Sequence, residues 1–270
     1  MPYVFEIYRA GNTLEFSKHY SSRWNKKGVK RSKRKISTKE EQREVNKRQA
    51  EKTLRLLLNE NFMPSDIHLV LDYNLSNRPE SREDMRADAD DFLKGMRKLY
   101  KSNREVFKYI HVMEKGKKGA LHHHLVINMP KSLGMREIIN CWKGKGRTHF
   151  NPLDETGQYK KLASYLIKYS DGMLRDPEAL QGRRWNSSHN LRKPKLVMKK
   201  VIKDKGWYQK VAYVPKKMER DWYLDKESVR EGIHEKTQYA FFTYTLIKTN
   251  QTWKETELQW SDEEIESIFN

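Results

Sequence analysis

Two histidines separated by one residue are the first feature of the sequence that is suited to chemistry. His122 and His124 lie in the run Leu121 to Ile127, whose apolar residues are typical of a β-strand. Alternate residues of a strand share a face, so the Cα atoms of the two histidines are expected about 6.5 Å apart on one side of a sheet. Two imidazoles at that separation can bind one divalent cation. His123 is expected to point to the opposite face and to have a structural role.

A carboxylate is expected beside these histidines. Glu114 ends the preceding predicted strand, and the turn that follows, Lys115 to Gly119, contains two glycines. A hairpin across this turn would bring Glu114 next to His122, because neighbouring strands pair residue with residue. Two imidazoles and one carboxylate leave coordination positions open, and this ligand set suits Mn²⁺ or Mg²⁺ better than a structural zinc site. The alternative is a group of unrelated surface residues, since His-x-His spacing alone is weak evidence in a chain with nine histidines.

A tyrosine followed three residues later by a lysine is the second candidate. Tyr165, Lys168 and Tyr169 lie in a segment predicted to be helical, at positions i, i+3 and i+4 of one face. A phenol has a pKa of about 10 and needs help to attack phosphorus at neutral pH, and a nearby ammonium group favours the phenolate. A metal ion on an adjacent strand would polarise the phosphoryl oxygen. The alternative is an amphipathic helix whose tyrosine is only structural, and taken alone the motif favours that alternative.

The charge of the chain indicates a polyanionic partner. Lys and Arg number 55 against 36 Asp and Glu, and the net charge is +19. Nucleic acid is the usual partner of such a surplus, although a basic surface that only keeps the chain in solution is the alternative. The single cysteine, Cys141, excludes a disulfide within the chain and suits the reducing cytoplasm. No apolar run is long enough to span a membrane, so no membrane partner is expected.

Two basic regions are the candidate DNA contacts. The first, residues 23–35, has eight basic residues and no acidic one. The second begins at residue 183 and combines basic residues with Trp185. Single-stranded DNA is bound by such combinations of basic grooves and aromatic platforms. The candidate DNA-binding residues of the two regions are Arg31, Lys33, Arg34, Lys35, Arg183, Arg184, Arg192 and Lys193.

The elements that position these residues are expected to form an α+β fold. After a helix predicted at 38–59, the pattern predicts strand, helix, strand, strand, helix, short strand and helix at 67–73, 81–100, 106–113, 121–129, 132–142, 147–150 and 157–169. Two central antiparallel strands joined by a tight turn, with helices on one face, are typical of a ferredoxin-like sheet.

The chain is accordingly divided into three parts. These are a basic arm and helix (1–60), a candidate catalytic core (61–172) and a basic C-terminal extension of short mixed segments (173–270). Within the extension, the run Tyr239 to Ile247 is predicted to be a buried strand.

The order of these motifs resembles the HUH endonuclease superfamily, and more narrowly the rolling-circle replication initiator (Rep) proteins of bacterial plasmids, phages and integrative elements. Three blocks match over roughly residues 62–169. They are the hydrophobic strand Ile67 to Tyr73, the metal motif formed by Glu114 with Gly119 to Ile127, and the catalytic motif Tyr165 to Lys168.

The resemblance implies a ferredoxin- or RRM-like nuclease domain and a defined reaction. Tyr165 attacks a phosphodiester of single-stranded or hairpin origin DNA, with Mn²⁺ or Mg²⁺ held by Glu114, His122 and His124. The products are a 5′-phosphotyrosine and a free 3′-OH, which host polymerase and helicase would use for replication, and reversal of the transfer closes the circle. Whether Tyr169 is a second nucleophile is left open. The alternatives are a relaxase or single-strand transposase of the same superfamily, and a non-catalytic basic DNA-binding protein.

Overall fold

The computed structural model describes residues 2–21, 24, 38–116, 119–175, 183–203, 211–234 and 238–249. It confirms the α+β class: the described residues contain four helices and two five-stranded antiparallel sheets. The candidate DNA contacts Arg31, Lys33, Arg34 and Lys35 lie outside the described residues. Contacts divide the chain into a central unit, Gln42–Arg192, and a terminal unit made of Met1–Glu41 with Lys193–Asn270.

The helices and strands are numbered in chain order. They are β1 (Tyr3–Ala10), β2 (Thr13–Tyr20), α1 (Lys39–Asn61), β3 (Ile67–Asp72), α2 (Arg82–Ser102), β4 (Tyr109–Lys115), β5 (Leu121–Ile127), α3 (Met135–Cys141), β6 (Thr148–Pro152), α4 (Lys160–Arg175), β7 (Asn186–Ser187), β8 (Lys195–Val201), β9 (Trp222–Ile233) and β10 (Ala240–Lys248).

The sheet of the central unit has the strand order β6-β3-β5-β4-β7, and every pairing is antiparallel. β4 and β5 form the hairpin that the sequence predicts, and β3 pairs with the other side of β5. The histidine-rich strand therefore lies in the middle of the sheet, where its register is fixed from both sides.

Helices cover both faces of this sheet. Leu125 and Ile127 of β5 point to one face and pack in a core with residues of α2 and α3, whereas Val126 points to the other face and packs with α1 and α4. The prediction of helices on one face is therefore wrong. The physical reason is that the central strands carry apolar residues at odd and even positions alike, so neither face can be left in water.

Side-chain caps begin two of the helices. Ser81 Oγ accepts the backbone N–H of Asp84 at 3.1 Å, and the Asp84 carboxylate accepts the backbone N–H of Ser81 at 3.2 Å. Thr38 and Glu41 make the same reciprocal pair before α1. Each pair satisfies backbone donors that a helix start leaves without a partner, which explains why these helices begin close to where the sequence predicts.

The terminal unit has a sheet of its own, with the strand order β8-β1-β2-β10-β9. Its apolar core includes Ile7, Phe16, Trp222 and Leu246. β10 confirms the buried strand predicted at 239–247. Apart from this strand, the sequence predicted only short mixed segments beyond residue 173, because β8 and β10 find partners near the opposite end of the chain. None of the helices among the described residues combines the length and the apolar composition that a membrane crossing needs.

Candidate active site

The three predicted metal ligands share one face of the central sheet. β5 pairs His122 with Glu114 of β4 on one side and with Asp72 of β3 on the other. His124 lies two residues further along β5, so its side chain points to the same side. The hairpin thus places Glu114 beside His122, as the sequence predicts, and it adds Asp72 to the group.

Asp72 fixes the orientation of His122. The Nδ1–H of His122 donates to Asp72 Oδ1 at 2.6 Å, and His149 Nε2 donates to the other carboxylate oxygen at 2.8 Å. Because a carboxylate only accepts, this contact assigns the proton of His122 to Nδ1 and leaves Nε2 with its lone pair. A carboxylate that holds the second nitrogen of an imidazole is the usual support of a metal-binding histidine.

His124 is held through both ring nitrogens. His68 Nε2 and His124 Nδ1 share a hydrogen bond of 3.1 Å, and His124 Nε2 donates to the Glu114 carboxylate. Burial, together with the charge of neighbouring His124, lowers the pKa of His68 to about 4. His68 is therefore neutral at physiological pH and shares its Nε2 hydrogen bond with His124.

The donor set of this face fits a divalent cation. It offers two imidazoles whose Nδ1 atoms are already engaged by Asp72 and His68, together with the carboxylate of Glu114. The ring centroids of the two histidines are 6.5 Å apart. Among the described residues, no three His, Cys, Asp or Glu side chains are arranged around a common metal position. The metal site stays a prediction, and it requires the hydrogen bond between His124 and Glu114 to open.

The candidate nucleophile lies against the same histidine. α4 buries Ala163, Leu166 and Ile167 in the core below the sheet, and this orientation brings Tyr165 to the histidine face. The ring centroid of Tyr165 is 5.5 Å from that of His124, and its side chain is 38% exposed. A helix and a strand that are distant in sequence thus bring the candidate nucleophile and a candidate ligand into contact.

Tyr169 is one helical turn further along and also contacts His124. The two rings are nearly parallel, with an interplanar angle of 17° and centroids 6.2 Å apart. The ring centroids of Tyr169 and Tyr165 are 4.5 Å apart. Both tyrosines therefore lie beside His124, so position alone does not select between them.

The pKa of Tyr165 is raised to about 12 in this structure. Burial is the largest cause, followed by the negative charge of Glu114 and by the neighbouring Tyr169. The hydrogen bond between the two tyrosine hydroxyls also raises the pKa, because it favours the neutral phenol of Tyr165. Lys168 is exposed on α4, and the direction of the shift is opposite to the one that the sequence predicts from its ammonium group. The phenol is therefore protonated at neutral pH, and a cation bound at Glu114 would remove one cause of the shift.

A separate polar chain runs behind β5. His111 Nε2 donates to His123 Nδ1 at 3.0 Å, and His123 Nε2 donates to Tyr73 Oη at 2.7 Å. Tyr73 is hydrogen-bonded in turn to Asp88. Burial holds the pKa of His123 well below its usual value. His123 thus faces away from the candidate ligands and has buried partners of its own, in agreement with the structural role expected from its position.

The predicted DNA contacts that the structure describes differ in exposure. Arg183, Arg192 and Lys193 are exposed, and Lys193 belongs to the terminal unit. Arg184 is only 13% exposed, and its Nη1 donates to the buried carboxylate of Asp171 at 2.8 Å. This ion pair gives Arg184 a structural role that its sequence context did not indicate.

Three residues of the site were missed from the sequence, namely His68, Asp72 and His149. The first two alternate with Val70 along β3, so a period of two was available as a signal. His149 lies on β6, opposite Val70. The pairing of β3 and β6, which the sequence did not predict, is what brings it to Asp72.

One comparison with known proteins found a match. Residues 67–173 match the model of a family described as replication-associated protein ORF2/G2P. This segment, less than half of the chain, is similar to replication-associated proteins. The segment contains β3, β4, β5 and most of α4. It therefore includes Glu114, both candidate histidine ligands and both tyrosines. Comparison with curated proteins and with solved structures found no significant match.

Proposed function

We propose that the chain is a rolling-circle replication initiator that nicks single-stranded origin DNA with Tyr165. The observation that carries this proposal is the contact between the two motifs. Tyr165 lies 5.5 Å from His124, ring centroid to ring centroid, on the face that also holds His122 and Glu114. The match of residues 67–173 to replication-associated proteins supports the same biological role.

The proposed step is a transfer of a phosphoryl group from one oxygen to another. Tyr165 Oη attacks the phosphorus of the scissile phosphodiester, a bond forms between Oη and phosphorus, and the bond from phosphorus to the 3′ oxygen breaks. The phenolic proton is balanced by the proton that the leaving 3′ oxygen takes up. The products are a 5′-phosphotyrosine and a 3′-OH, and attack by a 3′-OH on the phosphotyrosine reverses the step and religates the strand.

The residues around Tyr165 have separate roles in this proposal. Glu114, His122 and His124 would hold Mn²⁺ or Mg²⁺, which when bound neutralises charge on the phosphoryl oxygens. Lys168, exposed on the same helix, is placed to contact the phosphate of the bound strand. Tyr169 shares the position beside His124 and is the candidate for a second transfer.

The partners follow from the products. Single-stranded or hairpin origin DNA is the substrate, and the 3′-OH serves host polymerase and helicase in the cytoplasm. No membrane takes part in this reaction.

Formation of a covalent adduct tests the proposal. The full chain is incubated with Mn²⁺ or Mg²⁺ and end-labelled single-stranded and hairpin oligonucleotides tiled across the replicon that encodes it, and adducts are resolved in denaturing gels. We expect an adduct with the wild-type chain and none with Tyr165→Phe, which keeps the ring but lacks the attacking oxygen. Absence of any wild-type adduct would overturn the proposal and favour a non-catalytic DNA-binding protein. An equal adduct with Tyr165→Phe would overturn the assignment of Tyr165 as the nucleophile.

A further inference from the structure

A groove follows helix α2 along the β7 edge of the central sheet. Its wider part has a volume of about 650 Å³ and lies between α2 and the segment that contains Trp185. A second part, of about 450 Å³, continues along the C-terminal half of α2. The two parts share Tyr109 and His189 in their linings, so they lie next to each other along α2.

The lining of this groove is basic along its whole length. Arg86 and Arg183 line the wider part, and Arg97, Lys101 and Arg104 line the second. All five residues are exposed. The described part of the chain places none of them in an ion pair with a carboxylate. Apart from Arg184, which lines the wider part but is paired with Asp171, five cations against the two acidic residues of the lining leave a surplus that suits a polyanion.

Aromatic rings accompany these cations. Trp185 lies in the wider part of the groove and is partly buried against the core. The guanidinium carbon of Arg97 lies 5.9 Å from the centroid of the Tyr109 ring, and Arg97 Nη2 donates to Tyr109 Oη at 3.3 Å. Alternation of cations with aromatic rings is the composition that binds phosphates and stacks bases of single strands.

The α2 side of the groove faces away from the histidine face, whereas Trp185 in its lining packs against the core on the histidine side of the sheet. His111 and Met113 of β4 line it, and both residues point to the α2 side of the sheet. Glu114, the next residue along β4, points to the other side, where Tyr165 lies. From Arg86 to Lys101 the helical rise gives a length of about 23 Å. This length accommodates several nucleotides, so the groove and the cleavage site can contact different parts of one strand.

We propose that this groove binds the single-stranded DNA that flanks the cleavage point. The inference rests on the proposed function for the identity of the strand, but the binding itself requires no cleavage. Arg86, Arg97 and Arg183 contact phosphates, and Trp185 stacks on a base. Of these four residues, only Arg183 was a candidate phosphate contact in the sequence. Arg86 and Arg97 lie on α2, and only the fold brings them beside Arg183.

Binding without cleavage tests this inference. The full chain, without divalent metal, is titrated into a fluorescent oligothymidylate of about 20 nucleotides, and anisotropy is measured over a range of salt concentrations. The groove variant carries R86Q, R97Q and R183Q. The matched control carries K131Q, R136Q and K143Q, which remove the same charge from exposed residues of the same unit that do not line the groove.

The groove variant is expected to bind at least about tenfold more weakly than the wild type, and the slope of log affinity against log salt is expected to fall by about 2, since each phosphate contact on a single strand contributes about 0.7. W185A is expected to weaken binding about 5- to 100-fold through loss of stacking. The control variant should keep the wild-type slope to within about 0.7. R183Q alone, at an exposed position outside the helices and strands, serves if the triple variant does not fold.

Three results would overturn the inference. They are equal losses in the groove and control variants, an unchanged salt slope in the groove variant, and equally tight binding of a duplex of the same length. Adduct formation is measured in parallel. If the wild-type chain binds the oligothymidylate through the groove but forms no adduct, only the proposed function is refuted, because the binding assay contains no cleavage step.

Discussion

The two faces of β5 carry histidines in the same strand, yet their surroundings differ. On one face His122 is partly exposed, its Nδ1 is held by Asp72, and Tyr165 lies nearby on α4. On the other face His123 is fully buried, and both of its ring nitrogens are bonded within the protein, to His111 and Tyr73. The same side chain is thus open to a ligand on one face and committed to the fold on the other.

This difference teaches that access, more than residue type, decides what a histidine of this strand can do. Burial lowers the pKa of His111 to about 4 and holds the pKa of His123 well below its usual value, so neither carries charge at neutral pH. Both ring nitrogens of His123 are bonded to neighbouring side chains, which leaves neither of them for a cation. On the other face, His122 is partly exposed and only its Nδ1 is bonded, whereas His124 is buried and bonded through both ring nitrogens.

The largest effect is expected from His122→Ala. Loss of a metal ligand removes several kcal/mol of transition-state stabilisation, which corresponds to about a 10³-fold slower adduct formation. The stability of the fold should change by less than about 1 kcal/mol, because the imidazole is partly exposed and Asp72 remains in contact with solvent and His149. Rates of adduct formation and thermal unfolding are measured on the same preparation. If His122→Ala forms the adduct at the wild-type rate, the proposed difference between the two faces of β5 is contradicted.

His123→Ala is expected to have the opposite signature. It leaves the buried Tyr73 hydroxyl and His111 ring without their partner and opens a cavity, at a cost of about 3 kcal/mol in the free energy of unfolding. The melting temperature should fall by about 10 °C, as measured by circular dichroism. Adduct formation per folded molecule should stay close to that of the wild type. A large loss of activity without loss of stability would show that the buried face takes part in the chemistry.

Asp72→Asn is expected to weaken metal binding by about 10- to 100-fold, the usual effect of removing a carboxylate that orients a metal-binding histidine. The Mn²⁺ concentration for half-maximal adduct formation should rise accordingly, with the wild-type rate recovered at saturation. His149→Gln is the control. It removes the other partner of the same carboxylate at an exposed position, and is expected to shift that concentration by less than about fivefold. Equal shifts for the two variants would show that Asp72 does not act through His122.

Tyr169→Phe is expected to give the smallest effect on the first cleavage. The ring that stacks on His124 is kept, and only the hydroxyl hydrogen-bonded to Tyr165 is lost. The initial rate of adduct formation should change by less than about tenfold, the magnitude of one neutral hydrogen bond. A complete loss would identify Tyr169 as the first nucleophile and would reverse the assignment of the two tyrosines.

Local patterns predicted most elements of the central unit. Alternating and helical periodicity gave the approximate positions of β3, β5, α2 and α4, because each pattern reflects burial of one side of one segment. The pairing of Glu114 with His122 also followed, since a short turn between two strands fixes their register.

Non-local pairing was not predictable in the same way. The partner of β10 is β2, more than two hundred residues earlier, and no local signal joins them. His149 reaches Asp72 only because β6 pairs with β3. The presence of helices on both faces likewise depends on the complete sheet and not on any single segment. The direction of the pKa shift of Tyr165 was missed for the same reason, as it depends on burial of this side chain in the assembled fold and on the proximity of Glu114.

The central claim is that Tyr165 is the residue that becomes linked to DNA. Trypsin cleaves after Lys161, Lys168 and Arg175, so it separates a peptide 162–168, which contains Tyr165, from a peptide 169–175, which contains Tyr169. The covalent adduct is digested with nuclease and trypsin, and the peptides are examined by mass spectrometry. The account predicts a nucleotide attached to peptide 162–168 at the first cleavage. A nucleotide attached only to peptide 169–175, or no modified peptide from an active preparation, would contradict it.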